Sequence, residues 1–466
     1  MATLKCSRCS ATFGPYPPRH RCSRCGGPLE YVYDLRRLRG AKFTRLRGIW
    51  RYASLLPQTE HRVTLGEGGT PLHKAARLTD RLKLKEVYLK DETRNPTNSF
   101  RDRSAALMVS NAIDLGYSHV VCASNGNMGA SIAAYCAKSG LTAHVIVPRN
   151  VDVGKLVQMV MYNARIEEYG DTVDESIVRA ERLVEETGWY QATPELNPLT
   201  IEAQKTISYE VAEEVGDVGW FIVPVGSGGT LYSIWKGMRE AVELGMLESA
   251  PKMVGVQARG CSPIVDAHVE GVLKPTPRPA TMALGILVRN PLNAELAIRA
   301  VKESGGVMVE VSDREILRAE RELARLEGVF AEPASSATIA GLKKLVRRGT
   351  ISVDDRVVCL ITGGGLKAAD VVRLIEKRRR APILGLKLTT KEKILRILAE
   401  ADSYGYEIWK RLGRIVERAA VYQHLNELVD RGLVSTYETG GKRYFKITER
   451  GLRFLRAVDE LRSLVG

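Results

Sequence analysis

Two groups of residues have the types and spacing that chemistry requires. Cys6-Ser7-Arg8-Cys9 and Cys22-Ser23-Arg24-Cys25 are C-x-x-C pairs on either side of a Pro-rich turn, and Gly26-Gly27 follows the second. Knuckles on facing hairpins present four thiolates tetrahedrally to Zn²⁺ and leave no open position, so the metal would be structural. It would replace a core that so short a segment cannot build. Four free thiols are the alternative, and the neighbouring His20 reads as a surface residue rather than a ligand. The second group is Gly226-Ser227-Gly228-Gly229-Thr230, between the apolar run Trp220–Pro224 and a helical stretch. There its backbone N–H groups would cradle a phosphate at the positive end of a helix. The other cysteines, Cys122, Cys136, Cys261 and Cys359, lie far apart among apolar residues and read as inert buried thiols.

The elements that must position these groups alternate. From Val63 to Arg380, β-rich runs (Glu86–Lys90, His119–Ala123, Ala143–Pro148, Trp220–Pro224, Met253–Gln257, Arg356–Ile361) are interleaved with helical stretches (Ala130–Ser139, Asp174–Thr187, Ile201–Val215, Arg314–Glu327). This predicts an α/β fold of parallel sheets wrapped by helices, in two lobes, with ligands at the carboxyl ends of strands. The basic run Lys377-Arg378-Arg379-Arg380, followed by Ala381-Pro382, marks a boundary. Beyond it, Glu392–Ala401, Tyr406–Leu412 and Val416–Arg431 read as helices. Leu433–Tyr437 and Arg443–Ile447 alternate around Thr439-Gly440-Gly441-Lys442 as a hairpin, and a last helix runs from Thr448 to about Leu464. Helix-turn-helix followed by a β-wing is a winged helix, whose natural ligand is duplex DNA.

The chain has 466 residues, 69 Lys plus Arg against 54 Asp plus Glu, and a net charge of +15. That surplus favours polyanionic partners, although dispersed solubility charge would look the same. No apolar run approaches the roughly 18 residues a membrane span needs, and Met1–Cys6 lacks a signal-peptide core. A cytoplasmic protein without a membrane partner is expected, and eight Cys in that setting do not imply disulfides.

Over roughly residues 1–380 the sequence resembles threonine synthase, a fold-type II pyridoxal-phosphate (PLP) enzyme with the tryptophan synthase β-like fold. The resemblance rests on Leu65-Gly66-Glu67-Gly68-Gly69-Thr70-Pro71-Leu72, Asn95-Pro96-Thr97-Asn98-Ser99-Phe100-Arg101-Asp102-Arg103, Ser124-Asn125-Gly126-Asn127, Gly226–Thr230, Glu332-Pro333-Ala334-Ser335 and Thr362-Gly363-Gly364-Gly365. Some threonine synthases of this type also begin with a zinc ribbon. The resemblance implies that Asn127 meets the phenolic oxygen of PLP, that Thr362 meets its pyridine nitrogen, and that Gly226, Ser227, Gly228, Gly229 and Thr230 hold its phosphate.

One position departs decisively. The family pattern N-P-T-G-S-F-K-D-R carries the Schiff-base lysine where this chain has Arg101. Lysine supplies a neutral amine when burial lowers its pKa, whereas a guanidinium stays protonated. Nor can it shuttle protons. None of Lys90, Lys155, Lys205 or Lys367 is new relative to the family pattern, so no substitute amine is evident. Asn125 and Met128 stand where family members carry hydroxyls that grip the substrate carboxylate, and Asn98 replaces a Gly. A thioether is only a weak acceptor. Together these read as a site converted from catalysis to binding.

The C-terminal module resembles PadR-type winged-helix regulators through Tyr404-Gly405-Tyr406-Glu407-Ile408, Ala420-Val421-Tyr422-Gln423-His424-Leu425, Arg431-Gly432-Leu433-Val434 and Tyr444-Phe445-Lys446-Ile447-Thr448. Arg418, Tyr422 and Gln423 fall near the start of the recognition helix, and Lys442 and Arg443 fall at the wing tip. Use of the module only for dimerisation or protein contact is the other reading. The expected organisation is a zinc ribbon over 1–40, the two-lobed PLP fold over 41–380 and the winged helix over 381–466. The expected function is a catalytically inactive, ligand-sensing, DNA-binding transcriptional regulator, acting as a homodimer. Its cleft ligand would be held without a covalent bond: PLP, a phosphorylated amino acid or another small anion. An active threonine synthase converting O-phosphohomoserine to threonine, with an appended winged helix, is the competing function.

Overall fold

The computed structural model describes residues 3–16, 18–40, 43–368, 388–413 and 416–463. The chain divides into two compact units, Met1–Arg373 and Leu374–Gly466. The expected boundary at 380/381, the basic run Lys377–Arg380 and the end of the last helix at Leu464 lie outside the described residues.

The first unit opens with a small antiparallel sheet in which Thr3–Cys6 lies between Thr12–Phe13 and Leu29–Val32. Two larger sheets follow. One has six strands in the order Val307–Val311, Lys252–Ala258, Trp220–Pro224, Arg356–Ile361, Glu86–Asp91 and Leu72–Lys74, parallel except for the last. The other has four parallel strands: Arg165–Glu168, Thr142–Val147, His119–Ala123 and Tyr190–Gln191. Their central runs, Phe221-Ile222-Val223 and Val120-Val121-Cys122, are fully buried, as strands covered by helices on both faces must be. Separate apolar cores line the faces of the large sheet, one around Phe221, Val223 and Leu360 and the other around Ile222, Val254 and Ile361. All four scattered cysteines are buried within these lobes.

Two readings of the sequence need correction. The helix expected over Ile201–Val215 is two helices, Leu199–Gln204 and Thr206–Glu214. At the break, Thr206 Oγ1 donates to the carbonyl of Ala203 at 2.6 Å, a back-bond that competes with the helical ladder. Asn98, counted above among losses at the reacting centre, takes the left-handed backbone at φ 59° that Asn tolerates next best after Gly. Its Nδ2 donates to the carbonyl of Thr93 at 3.0 Å, so the change from Gly preserves the turn and does not alter the site.

In the second unit, helices Leu388–Glu400, Gly405–Arg411 and Arg418–Asp430 pack around Ile394, Leu398, Ile408, Val421, Leu425 and Phe445. The hairpin Val434–Thr439/Lys442–Ile447 closes through Gly440 and Gly441 at φ 56° and 70°, the paired positive values of a type I′ turn. A third strand, Ser403–Tyr404, joins it by pairing with Phe445 and Tyr444. Its two residues read as a helix break in the sequence.

Candidate functional site

A cleft open to solvent receives the carboxyl ends of four strands from the two larger sheets, where open α/β folds bind ligands. After Trp220–Pro224 comes the loop Gly226–Thr230, and the helix Gly229–Glu243 starts within it. Gly228 has φ 102°, and a Cβ there would sit 2.6 Å from the carbonyl oxygen of Asn293, so only glycine fits this turn. After Arg356–Ile361 comes Thr362, whose hydroxyl is 2.8 Å from that of Ser335. Following His119–Ala123, Asn125, Asn127 and Met128 line the cleft, and beyond Tyr190–Gln191 Glu195 and Thr200 do the same.

Asn127 opens the helix Asn127–Ser139, and its Nδ2 donates to both oxygens of Glu332, at 2.9 and 3.1 Å. Glu332 also faces Lys155 Nζ at 3.5 Å. The amide oxygen of Asn127 is left buried with no partner, as are Ser227 Oγ, Thr200 Oγ1 and Glu195 Oε2. Buried polar atoms are nearly always satisfied by protein or water, so these four in the cleft lining are open to a polar ligand or to water. The glycine loop at a helix start and the orphan hydroxyl of Ser227 fit a phosphate such as that of PLP, and the Thr362 hydroxyl lines the same cleft. When bound, PLP supplies an electron sink, and these side chains supply its hold and orientation.

Arg101 lines the same cleft at the first turn of the helix Arg101–Asp114. It is part-buried, and its guanidinium lies 4.7 Å from the ring centroid of Phe100. Burial pushes its pKa below the usual arginine value, and the charge of Glu195 partly offsets that. Glu195 shows the mirror effect, raised by burial and pulled back by Arg101. Among the described residues no lysine lines the cleft. Lys155 Nζ is committed to Asp152 at 2.7 Å as well as to Glu332. Lys367, pushed down to about 8 by burial, donates to the carbonyl of Thr97 at 2.6 Å and to Gln158 Oε1 at 2.8 Å. Met128 presents its thioether, and Asn125 turns its amide to the carbonyl of Leu287 at 3.2 Å.

In the N-terminal segment of this unit, the Sγ atoms of Cys6, Cys9, Cys22 and Cys25 all lie within 4.8 Å of one another, with Cys6–Cys25 at 3.5 Å and Cys9–Cys22 at 3.6 Å. Four sulfurs about 2.3 Å from one tetrahedral Zn²⁺ stand about 3.8 Å apart, so the cluster is compatible with a zinc ribbon. Backbone N–H groups of Arg8 and Arg24 point at Cys6 and Cys22 Sγ, each at 3.4 Å, as a knuckle arranges them. His20 is not in the cluster. It is part-buried, and it lines a small cavity shared with Glu195 and Asn293. Arg8 also grips Glu295 through two hydrogen bonds at 3.2 and 2.7 Å, which ties the ribbon to the helix that Asn293 caps.

In the second unit Arg418 is the first residue of its helix, and Arg418, Tyr422 and Gln423 are all exposed. Lys442 and Arg443 are exposed on the wing strand. Beside them Tyr437 stacks on Tyr444, Tyr404 meets Tyr444 edge-to-face, and Lys442 Nζ lies 4.7 Å from the Tyr404 ring centroid.

Comparison with known proteins agrees with this architecture. Residues 63–363 match the family described as pyridoxal-phosphate dependent enzyme, and residues 394–457 match the PadR-like transcriptional regulator family. The chain belongs to the pyridoxal-phosphate-dependent enzyme family and carries a PadR-like regulator domain at its C-terminal end. Within that family it is similar to the threonine synthases of Methanosarcina acetivorans (40% identical over 380 residues, 80% of this chain and 94% of that protein) and Methanocaldococcus jannaschii (40% over 381 residues, 78% and 93%). Among solved structures, maize serine racemase (TM-score 0.58, 20% identity, 66% of this chain and 92% of that one) and a fungal L-serine ammonia-lyase from Rhizomucor miehei (TM-score 0.58, 23%, 69% and 99%) share the fold. No helix among the described residues is long and apolar enough to cross a membrane.

Proposed function

We propose that this chain is a ligand-responsive, DNA-binding transcriptional regulator whose sensor is a catalytically inactive threonine-synthase-like domain. The observation that carries the reading is the cleft lining: arginine stands where the family places its reactive lysine, and no lysine replaces it among the described lining residues. The phosphate cradle Gly226–Thr230, Asn127 and Thr362 are retained, which supports binding of PLP or a similar phosphorylated ligand without a covalent bond. Cys6, Cys9, Cys22 and Cys25 hold a structural Zn²⁺. Arg418, Tyr422 and Gln423 reach base edges, while Lys442 and Arg443 contact phosphates. A homodimer reads a two-fold operator, and the chain is organised as ribbon (1–40), sensor (41–380) and winged helix (381–466). Coupling requires the ligand to bind the DNA-competent and DNA-incompetent states with different affinities.

The 40% identity to threonine synthases favours a second reading, retained conversion of O-phosphohomoserine to threonine. One experiment separates the two. Purified full-length protein is supplied with PLP, reduced with borohydride and mapped by mass spectrometry, and the same preparation is used to select genomic DNA fragments with and without PLP. The regulator reading expects no PLP–lysine adduct and a selected motif whose affinity shifts with the ligand. An adduct on a cleft lysine, together with threonine formation, would overturn it.

A further inference from the structure

The positive charge of the chain is unevenly placed. Residues 1–62 carry 13 Lys plus Arg against 3 Asp plus Glu, whereas residues 63–376, which build the two lobes, carry 36 against 40. Residues 36–47 alone hold six Lys or Arg and no Asp or Glu. Leu35 and Leu38 anchor a short helical turn in the core around Phe221 and Val223, and Phe43 meets Tyr52 in the same core at 4.9 Å between ring centroids. Thr44 then closes a loop by donating its hydroxyl to the carbonyls of Trp50 and Arg51 at 3.1 and 3.2 Å. With these apolar side chains turned inward, Arg36, Arg39, Arg45 and Arg47 are left exposed. Four other exposed arginines of this unit are met by carboxylates: Arg149 by Asp171 at 2.6 Å, Arg239 by Glu303 at 3.4 Å, Arg259 by Glu310 at 2.9 Å and Arg347 by Glu315 at 3.3 Å. Even Arg37, next in the chain to Arg36, turns back to Asp34 at 3.0 Å. Arg36, Arg39, Arg45 and Arg47 have no ion pair within 4.0 Å among the described residues.

We propose that Arg36, Arg39, Arg45 and Arg47 are a second contact surface for duplex DNA, meeting its phosphate backbone in addition to the winged helix. All four are arginines, whose planar forks pair with phosphate oxygens two at a time. Their backbone is held by the core and by Thr44, so little order has to be imposed when DNA arrives. They line neither cavity described above and lie on the outside of the lobe, which suits an extended polyanion rather than an enclosed small one. The PadR-like domain of the same chain makes duplex DNA that polyanion, and the choice of polyanion rests on the DNA-binding reading above. A duplex held by one domain is at high effective concentration for the other, so phosphate contacts here raise affinity without adding sequence information.

The test measures the affinity of full-length variants for a random-sequence DNA duplex against salt. Replacing Arg36, Arg39, Arg45 and Arg47 together by Gln should lower the slope of log affinity against log salt by about two to four. Replacing them by Lys should keep the slope, because the charge is kept. Replacing the paired Arg149, Arg239, Arg259 and Arg347 by Gln removes the same charge from the same unit and should change the slope by less than about one. If the first Gln variant fails to fold, photo-crosslinking of the duplex to the natural chain decides instead. Crosslinks on peptides bearing Arg36 and Arg39 or Arg45 and Arg47 support the inference, and crosslinks confined to the winged helix overturn it. A slope that ignores the four arginines, or falls equally in the paired set, also overturns it. If Lys442→Ala and Arg443→Ala still lower the slope in that case, the winged-helix reading stands alone. If the four arginines matter and Lys442 and Arg443 do not, the inference stands and that reading falls. No binding of DNA by the natural chain overturns both, and tighter binding of an RNA duplex of equal length overturns the choice of DNA.

Discussion

Arg101 and Arg103 begin the same helix two residues apart, and their surroundings are opposite. Two residues turn an α-helix by about 200°, so the two side chains leave on opposite faces. Arg103 is fully buried and saturated. Its guanidinium donates to both oxygens of Glu92 at 2.8 Å, to both of Glu210 at 2.5 and 2.7 Å, and to the hydroxyls of Thr206 and Thr70 at 3.0 and 3.2 Å. Lys90 Nζ completes the cluster at 2.7 Å from Glu210. Burial works against the charge of Arg103, but Glu210 and Glu92 outweigh it and raise its pKa well above the usual value. Arg101 has no such carboxylates in contact, and burial lowers it. The difference teaches how to read a buried cation: one whose donors are all used holds the fold, and one left open at a cleft awaits a ligand.

The largest effect should follow from breaking the saturated cluster. Arg103→Met leaves Glu92 and Glu210 buried with too little positive charge and should cost about 3–5 kcal/mol in urea unfolding of the full chain. A loss under about 1 kcal/mol would erase the contrast. Arg101→Met, by comparison, removes a charge that no carboxylate contacts, and its stability should stay within about 1 kcal/mol of wild type. Arg101→Lys sharpens the point chemically. The substituted position should acquire a PLP adduct on borohydride reduction, with visible absorbance that the natural chain lacks. Turnover need not return, because Asn125 and Met128 remain.

A smaller effect is expected from the ribbon. The second cavity places His20 and Arg21 against Glu195 and Asn293, and Arg8 holds Glu295. Cys22→Ser should bring zinc below one per chain and weaken phosphate-ligand binding by roughly 1 kcal/mol, about what one lost hydrogen bond to the cradle's support is worth. Metal analysis and titration of the same sample test both halves. The smallest stability effect belongs to cations that are neither buried nor paired. Lys442→Ala and Arg443→Ala should each change stability by no more than about 0.5 kcal/mol. Each should still lower the slope of log affinity against log salt by about one, uniformly across DNA sequences.

Much of this was legible in the chain itself. Apolar runs such as Trp220–Pro224 and His119–Ala123 fell on strands to the residue, because strands buried on both faces allow no polar interruption. Cysteine pairs and a glycine loop are equally local signals, since a knuckle or a tight turn is built from consecutive residues. Glu195 and Thr200 escaped notice because Thr193–Pro198 is an irregular, Pro-bearing segment without periodicity, and Thr200 lies in the short helix that follows it. Their partners, Asn127 and Arg101, lie far away in sequence.

What the sequence determined by itself is therefore the set of local devices: four thiols at knuckle spacing, a glycine loop between strand and helix, a helix-turn-helix with its β-wing, and an arginine in place of the family's lysine. Only the tertiary structure decided which charges are spent. It saturated Arg103 and left Arg101 open, kept Lys155 and Lys367 out of the cleft lining, and brought Glu195 into the same cleft as Asn127. The reason is physical. A residue's type is fixed along the chain, but whether a buried charge is paired depends on distances between segments that meet only when the two lobes pack.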